Sequence, residues 1–158
     1  VIAARNGYVQ EMLRRQGENG QLRKHYLAAV SPPPSPLSGK IDAPILRDRE
    51  SIIKRKVSEE GARAVTHYRT VYRGEDYAVV ECLLETGRTH QIRVHCSHAG
   101  FPIIGDTLYG AEPVPPRAPH QLLHAYKTEL IHPVTGEPMT FTAPPPQEWG
   151  RYAPHTWP

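Results

Sequence analysis

The sequence predicts an α+β fold built around a mainly antiparallel sheet with few helices, and three observations carry that reading. β-prone runs outnumber the segments with helical period. Several of those runs are joined by short, Gly-containing connections of the kind that close hairpins, which pair strands antiparallel. Seventeen prolines in 158 residues, several clustered in Ser31-Pro-Pro-Pro-Ser-Pro36 and Pro144-Pro-Pro146, argue against a helical bundle, because proline interrupts helix interiors.

Asn6 is placed to cap a helix from Gly7 to about Gln16, with Tyr8, Met12 and Leu13 as its apolar stripe and Gly17 and Gly20 as its stop. Leu22 to Val30 reads as a strand, and Ser31 to Gly39 as a proline-rich loop within the same domain. Ile45 to Ser58 carries Arg47, Arg49, Lys54, Arg55 and Lys56 around Ile52 and Ile53, which suits an exposed basic loop or short ribbon. Ala62 to Tyr72 and Tyr77 to Thr86 form a hairpin across Arg73-Gly-Glu-Asp76. Thr89 to Gly100 is a helix with Ile92, Cys96 and Ala99 at core spacing. Another proline-rich loop spans Ala111 to Gln121. Leu122 to Ile131 and Met139 to Ala143 are closing strands, and the tail from Gln147 has little pattern.

A formal charge of +3 and a pI near 9.0 suit a polyanionic partner, provided the sixteen acidic residues lie away from one basic face. Two cysteines, Cys82 and Cys96, imply no disulfide framework and fit apolar packing in a reducing compartment. The apolar stretches are far below membrane-spanning length and no signal-like start is visible, so the expectation is a cytoplasmic protein without a membrane partner.

The most informative run is Leu84-Glu-Thr-Gly-Arg-Thr-His-Gln-Ile-Arg-Val-His95. It places Gly87 and a potential capping hydroxyl, Thr89, at a strand-to-helix junction bracketed by Arg88 and Arg93. Backbone donors and two guanidiniums there suit a phosphate or carboxylate, and a solvated helix start would need the same residue types.

That run, with Gly100-Phe-Pro-Ile-Ile-Gly-Asp-Thr-Leu-Tyr-Gly110 behind it, closely resembles the C-terminal signature of the RluA-type pseudouridine synthases, which isomerise uridine in structured RNA. Arg23-Lys-His-Tyr-Leu-Ala-Ala-Val30, Ala64-Val-Thr-His-Tyr-Arg-Thr-Val71, His124-Ala and His132 to Pro144 resemble further blocks of that family in the same order. The resemblance implies a pseudouridine synthase-like catalytic domain acting on ribosomal or transfer RNA with no cofactor. It also implies that residues 1–158 are only the C-terminal part of that domain. The family's His-Arg-Leu-Asp and Thr-Ser-Gly segments, which supply the catalytic aspartate, have no match here. None of Asp42, Asp48, Asp76 or Asp106 stands in a comparable context. The expectation is therefore a sheet incomplete at its N-terminus, inactive alone and prone to self-association through an apolar edge.

Residue by residue, the resemblance gives Arg93 the salt bridge to the catalytic aspartate, and without that aspartate Arg93 should be exposed or re-paired. It gives Tyr26 the place of the tyrosine that packs on the target base. Arg88 is expected on a phosphate or in a local ion pair with Glu85. His90, Arg23, Lys24, Arg55 and Lys56 are the further candidate RNA contacts. His90 is also placed to bond within the junction, and His95 and His98 to contact RNA or simply solvate the helix. Asp106 reads as an Asx-type acceptor for nearby backbone N–H groups. His90, His95, His98 and Cys96 share too little of one helical face for a metal site, so no metal is expected. A non-catalytic RNA-binding module of the same fold is the alternative, and a metal-dependent hydrolase built on the histidines is a distant third.

Overall fold

A computed structural model describes residues 2–110, 118 and 120–152. Helix α1 (Gly7–Glu18) leads into β1 (Arg23–Val30), β2 (Ser38–Asp42), β3 (Ile45–Arg47), β4 (Arg55–Val57), β5 (Val65–Arg73) and β6 (Ala78–Leu84). Helix α2 (Gln91–His98), β7 (Leu123–Ile131), β8 (Pro138–Thr142) and a short 3-10 helix (Gln147–Arg151) follow. Six strands form one antiparallel sheet in the order β2-β5-β6-β1-β7-β8, and β3 and β4 make a separate hairpin.

Strand alternation gives the sheet two covered faces. Ala28 and Val30 of β1 and Val80 and Cys82 of β6 point to the face closed by Ile92 and Cys96 of α2 and by Phe101 and Ile103. Leu27 and Ala29 point the other way, onto Ile104, Leu122, Trp149 and Tyr152. Leu27 to Val30 are all 0 % exposed, so β1 is the central buried strand. Each such Val or Leu contributes about 1.5–3 kcal/mol by burial. The 3-10 helix supplies Trp149 to the second face; a single turn has no period for a sequence pattern to reveal.

Asn6 caps α1 through a bond from Val9 N–H at 2.9 Å, as the sequence predicts. The inward stripe, however, is Val9, Met12, Leu13 and Gln16; Tyr8 is 62 % exposed. The helix also runs past Gly17 to Glu18, because Gln16 is buried and holds it. The Gln16 amide donates to Ile131 O at 2.7 Å and accepts from Ile131 N–H at 2.9 Å, extending β7 as a neighbouring peptide would. Ser38–Asp42 is an edge strand within and beyond the expected loop, with Ile41 alone turned inward. The sequence shows no alternation there because one apolar residue suffices at an edge. The ribbon reading of Ile45–Ser58 is borne out. The loop expected at Ala111 to Gln121 lies for the most part outside the described residues. Among the described residues, no helix is long and apolar enough to cross a membrane.

Candidate functional site at the β6–α2 junction

The junction is organised by a buried glutamine. Gln91, 2 % exposed, accepts from the Thr86 hydroxyl at 2.8 Å and from Arg88 N–H at 2.9 Å. Its amide nitrogen donates to Val65 O at 2.9 Å and Thr66 Oγ1 at 3.0 Å. One side chain thus ties the turn, β5 and the helix start together. The expected Thr89 cap is not what opens the helix. The residue before α2 is His90, in left-handed backbone at φ 59° with no side-chain cap, and the Gln91 side chain holds the preceding turn through Arg88 N–H. A non-glycine residue there is uncommon and persists where neighbours hold it.

Those neighbours are Tyr109 and Arg93. The Tyr109 hydroxyl accepts from Arg55 N–H at 2.8 Å and shares a hydrogen bond with His90 Nδ1 at 2.8 Å. Burial first, then the Arg93 and Arg55 charges, lowers the His90 pKa. The Arg93 guanidinium lies 5.0 Å from the Tyr109 ring centroid, a cation–π contact. Ser97 Oγ fixes the Tyr109 carbonyl at 2.8 Å.

Arg93 is paired, and its partner is Asp106. Nε donates to Oδ2 at 2.7 Å and Nη2 to Oδ1 at 2.6 Å. Asp106 also accepts from Leu108 N–H at 3.0 Å and Tyr109 N–H at 3.1 Å, which is the expected Asx-type role. Its side chain is 1 % exposed, and that of Arg93 14 %. Burial alone would raise the carboxyl pKa; the Arg93 bonds and the two backbone donors outweigh it and lower the value. Asp106 reciprocally raises Arg93. Two glycines make the turn possible. Gly105 sits at φ 74°, where a Cβ would lie 2.2 Å from His120 O, and a Cβ on Gly110 would lie 2.3 Å from Asp106 O. The pairing leaves Nη1 of Arg93, and with it one edge of the guanidinium, without a partner among the described residues.

Tyr26 lies on β1 opposite Cys82 and packs on the cluster that contains Ile92 and Cys96, so it shares the α2 face of the sheet. A β-bulge against β7 falls between His25 and Tyr26, and bulges re-aim side chains. Tyr26 is half-buried, burial raises its phenol pKa, and its hydroxyl makes no hydrogen bond among the described residues. Of the other candidates, His90 and Arg55 join Arg93 through Tyr109. Arg88 donates to Arg63 O at 3.0 Å and is otherwise exposed. It does not pair with Glu85, which is taken by Arg63 and His67. Lys56 faces Asp48 at 3.5 Å. Arg23 and Lys24 are exposed at the start of β1, without ion pairs among the described residues. Because β1 runs antiparallel to β6, they lie at the same end of the sheet as the junction.

His95 is corrected: it contacts neither RNA nor solvent. It is 0 % exposed, its Nε2 donates to Ala43 O at 2.9 Å, and its Nδ1 accepts from Thr66 Oγ1 at 2.9 Å. Ala99, expected in the core, is exposed, whereas Cys82 and Cys96 are buried free thiols. Among the described residues no group of three His, Cys, Asp or Glu could hold a metal ion.

The antiparallel sheet and the β6–α2 junction are those of the pseudouridine synthases, the class that the sequence run resembles. A family model described as RNA pseudouridylate synthase matches residues 1–98, and the chain belongs to that family. It is 40 % identical over 151 residues to the uncharacterized RNA pseudouridine synthase YjbO of Bacillus subtilis, covering 96 % of this chain and 53 % of that one. It is 39 % identical over 163 residues to ribosomal large subunit pseudouridine synthase D of Xanthomonas campestris, covering 96 % and 49 %. The solved human RNA pseudouridylate synthase domain containing 1 superposes with a TM-score of 0.72 at 26 % identity, covering 90 % of this chain and 62 % of that one. The chain spans about half the length of the curated relatives it matches.

Proposed function

We propose that the protein isomerises uridine to pseudouridine in structured RNA, ribosomal or transfer, in the cytoplasm and without a cofactor. The observation that carries this is Arg93, held by Asp106 with a guanidinium edge unpaired among the described residues, on the helix whose Ile92 and Cys96 cover the sheet face that bears Tyr26. In the reaction the bond from C1′ to N1 breaks, the uracil turns, and C1′ bonds to C5. N1 gains a proton and C5 loses one, so atoms balance without hydrolysis. Arg93 receives the family's catalytic aspartate on its open edge, keeps it ionised and orients it. Tyr26 stacks on the flipped base, an interaction of about 1–3 kcal/mol. Arg88, His90, Arg23, Lys24, Arg55 and Lys56 supply the RNA contacts. The relative named a ribosomal large subunit pseudouridine synthase supports ribosomal RNA as the substrate.

No Arg-Leu-Asp segment occurs in these 158 residues, and the reading proposed here assigns the start of the reaction to that family segment. The test is release of tritium from RNA labelled at C5 of uridine, because C5 loses its hydrogen when it becomes the glycosidic carbon. The protein expressed from its complete gene should release it and residues 1–158 alone should not. Binding without release by the complete protein would favour the non-catalytic RNA-binding module.

A further inference from the structure

The β3–β4 hairpin carries a second chemistry that uridine isomerisation does not need. Its tip exposes Ile52 by 84 % and the adjacent Ile53 by 58 %, and Ile52 is the most exposed large apolar side chain among the described residues. Five cations surround them, against Asp48 and Glu50. Among the described residues, Lys56 alone of the five has a carboxylate partner, Asp48. The guanidiniums of Arg47 and Arg55 donate to the carbonyls of Ile52, Ile53 and Lys54, and Arg49 and Lys54 make no ion pair among the described residues. Elsewhere Arg14, Arg15, Lys40, Arg63, Arg69 and Lys127 are each matched to a carboxylate, whereas Arg23, Lys24 and Arg88, like the tip cations, make no ion pair among the described residues. Unmatched positive charge and exposed apolar surface therefore coincide at this tip.

The tip is also built in advance. Asp48 N–H bonds to Lys54 O at 3.1 Å, Glu50 N–H to Asp48 Oδ1 at 3.3 Å, and Lys54 N–H to Ser51 Oγ at 3.1 Å. The base is fixed by the reciprocal Ile45 and Ala62 backbone bonds at 2.9 Å, by Ile45 and Val57 packing on Val94 of α2, and by Tyr109 on Arg55 N–H. A preformed pair of apolar side chains between free cations fits a polymer whose charges are anionic and whose interior faces are apolar. Stacked bases between phosphates have that chemistry. An anionic membrane also pairs cations with apolar side chains. Nucleic acid is favoured because the hairpin base shares the Tyr109 hydroxyl with His90, beside Arg93.

We propose that Ile52 and Ile53 form a wedge that enters a base step of the RNA next to the target uridine, while Arg49 and Lys54 hold the flanking phosphates. This rests on the reading that the substrate is RNA. The probe is a synthetic RNA stem-loop carrying 2-aminopurine, whose fluorescence rises on unstacking, with protein expressed from the complete gene. Wild type should raise the fluorescence. Ile52→Ser with Ile53→Ser should lose most of that rise at saturation, bind about tenfold more weakly and keep its salt dependence. Arg49→Gln with Lys54→Gln should keep the rise at saturation and lower the salt slope by about one per cation. Both pairs are exposed, so urea midpoints should match wild type. A full rise from the serine variant overturns the wedge, as does binding to phosphatidylglycerol vesicles without RNA binding. Tritium release separates the two readings. Release alongside a full rise from the serine variant sinks the wedge alone, and an isoleucine-dependent rise without release sinks the isomerase alone.

Discussion

Asp106→Asn should destabilise the protein by about 3 kcal/mol at neutral pH, and the figure follows from which oxygen does what. Oδ1 accepts from Arg93 Nη2, Leu108 N–H and Tyr109 N–H, and an asparagine oxygen can keep all three. Oδ2 accepts only Arg93 Nε–H, and the amide that replaces it sets donor against donor. One charge-assisted bond is lost, roughly 1.5–3 kcal/mol. The guanidinium also loses its counter-charge at 14 % exposure. Breaking a fully buried pair costs about 3–5 kcal/mol. The open edge and residual exposure of Arg93 place this case at the low end. The loss must also depend on pH. Folding lowers the Asp106 pKa from its ordinary 3.8, so its stabilisation is present above that value and disappears as pH falls through the folded value. Urea unfolding of both proteins between pH 3 and 7 should show a gap constant above about pH 5, closing toward pH 3, with unchanged m. A gap below 1 kcal/mol at pH 7, or one equally wide at pH 3, would refute the reasoning.

Two further outcomes are expected. His95 is buried neutral and burial lowers its pKa from 6.5, so the unfolded chain takes up a proton that the native state refuses. Stability should therefore fall as pH drops below 6.5, by up to about 1.4 kcal/mol per unit, and His95→Gln should flatten that slope in urea titrations. A slope shared by both proteins would place the titration elsewhere. Tyr109→Phe keeps the ring over Arg93 and removes the hydroxyl shared by Arg55 and His90. Amide exchange at Arg55 should accelerate by about tenfold or more while the α2 core amides stay protected. Unchanged exchange at Arg55 would mean that the hydroxyl does not hold the hairpin.

The sheet was legible where strands are buried on at least one face. Leu22–Val30 and the pair around Gly74 announce themselves by β-prone composition and a turn, and the structure reproduces them within a few residues. Edge strand β2 and the 3-10 helix were not, since one inward Ile41 and a single turn leave no period to read. At the site, Arg93 and Tyr26 came from the motif blocks. The Arg93–Asp106 pair spans thirteen residues and joins a helix to a turn, and no local spacing announces it. Gln91 and His95 look like polar helix-surface residues in the sequence. They are interior because Val65, Thr66 and Ala43 offer backbone and hydroxyl partners from strands and loops distant in sequence. Tyr109 was legible as part of a turn, though not as the group joining hairpin, helix start and arginine.

The central claim is that Arg93 serves the reacting carboxylate and not the RNA backbone. Single-turnover tritium release by the complete gene product carrying Arg93→Ala tests it most directly, with RNA affinity measured on the same preparation. The account predicts release lowered by at least about a hundredfold, with affinity within a few-fold of wild type. Release near the wild-type rate, or a loss of release fully explained by lost RNA binding, would contradict it.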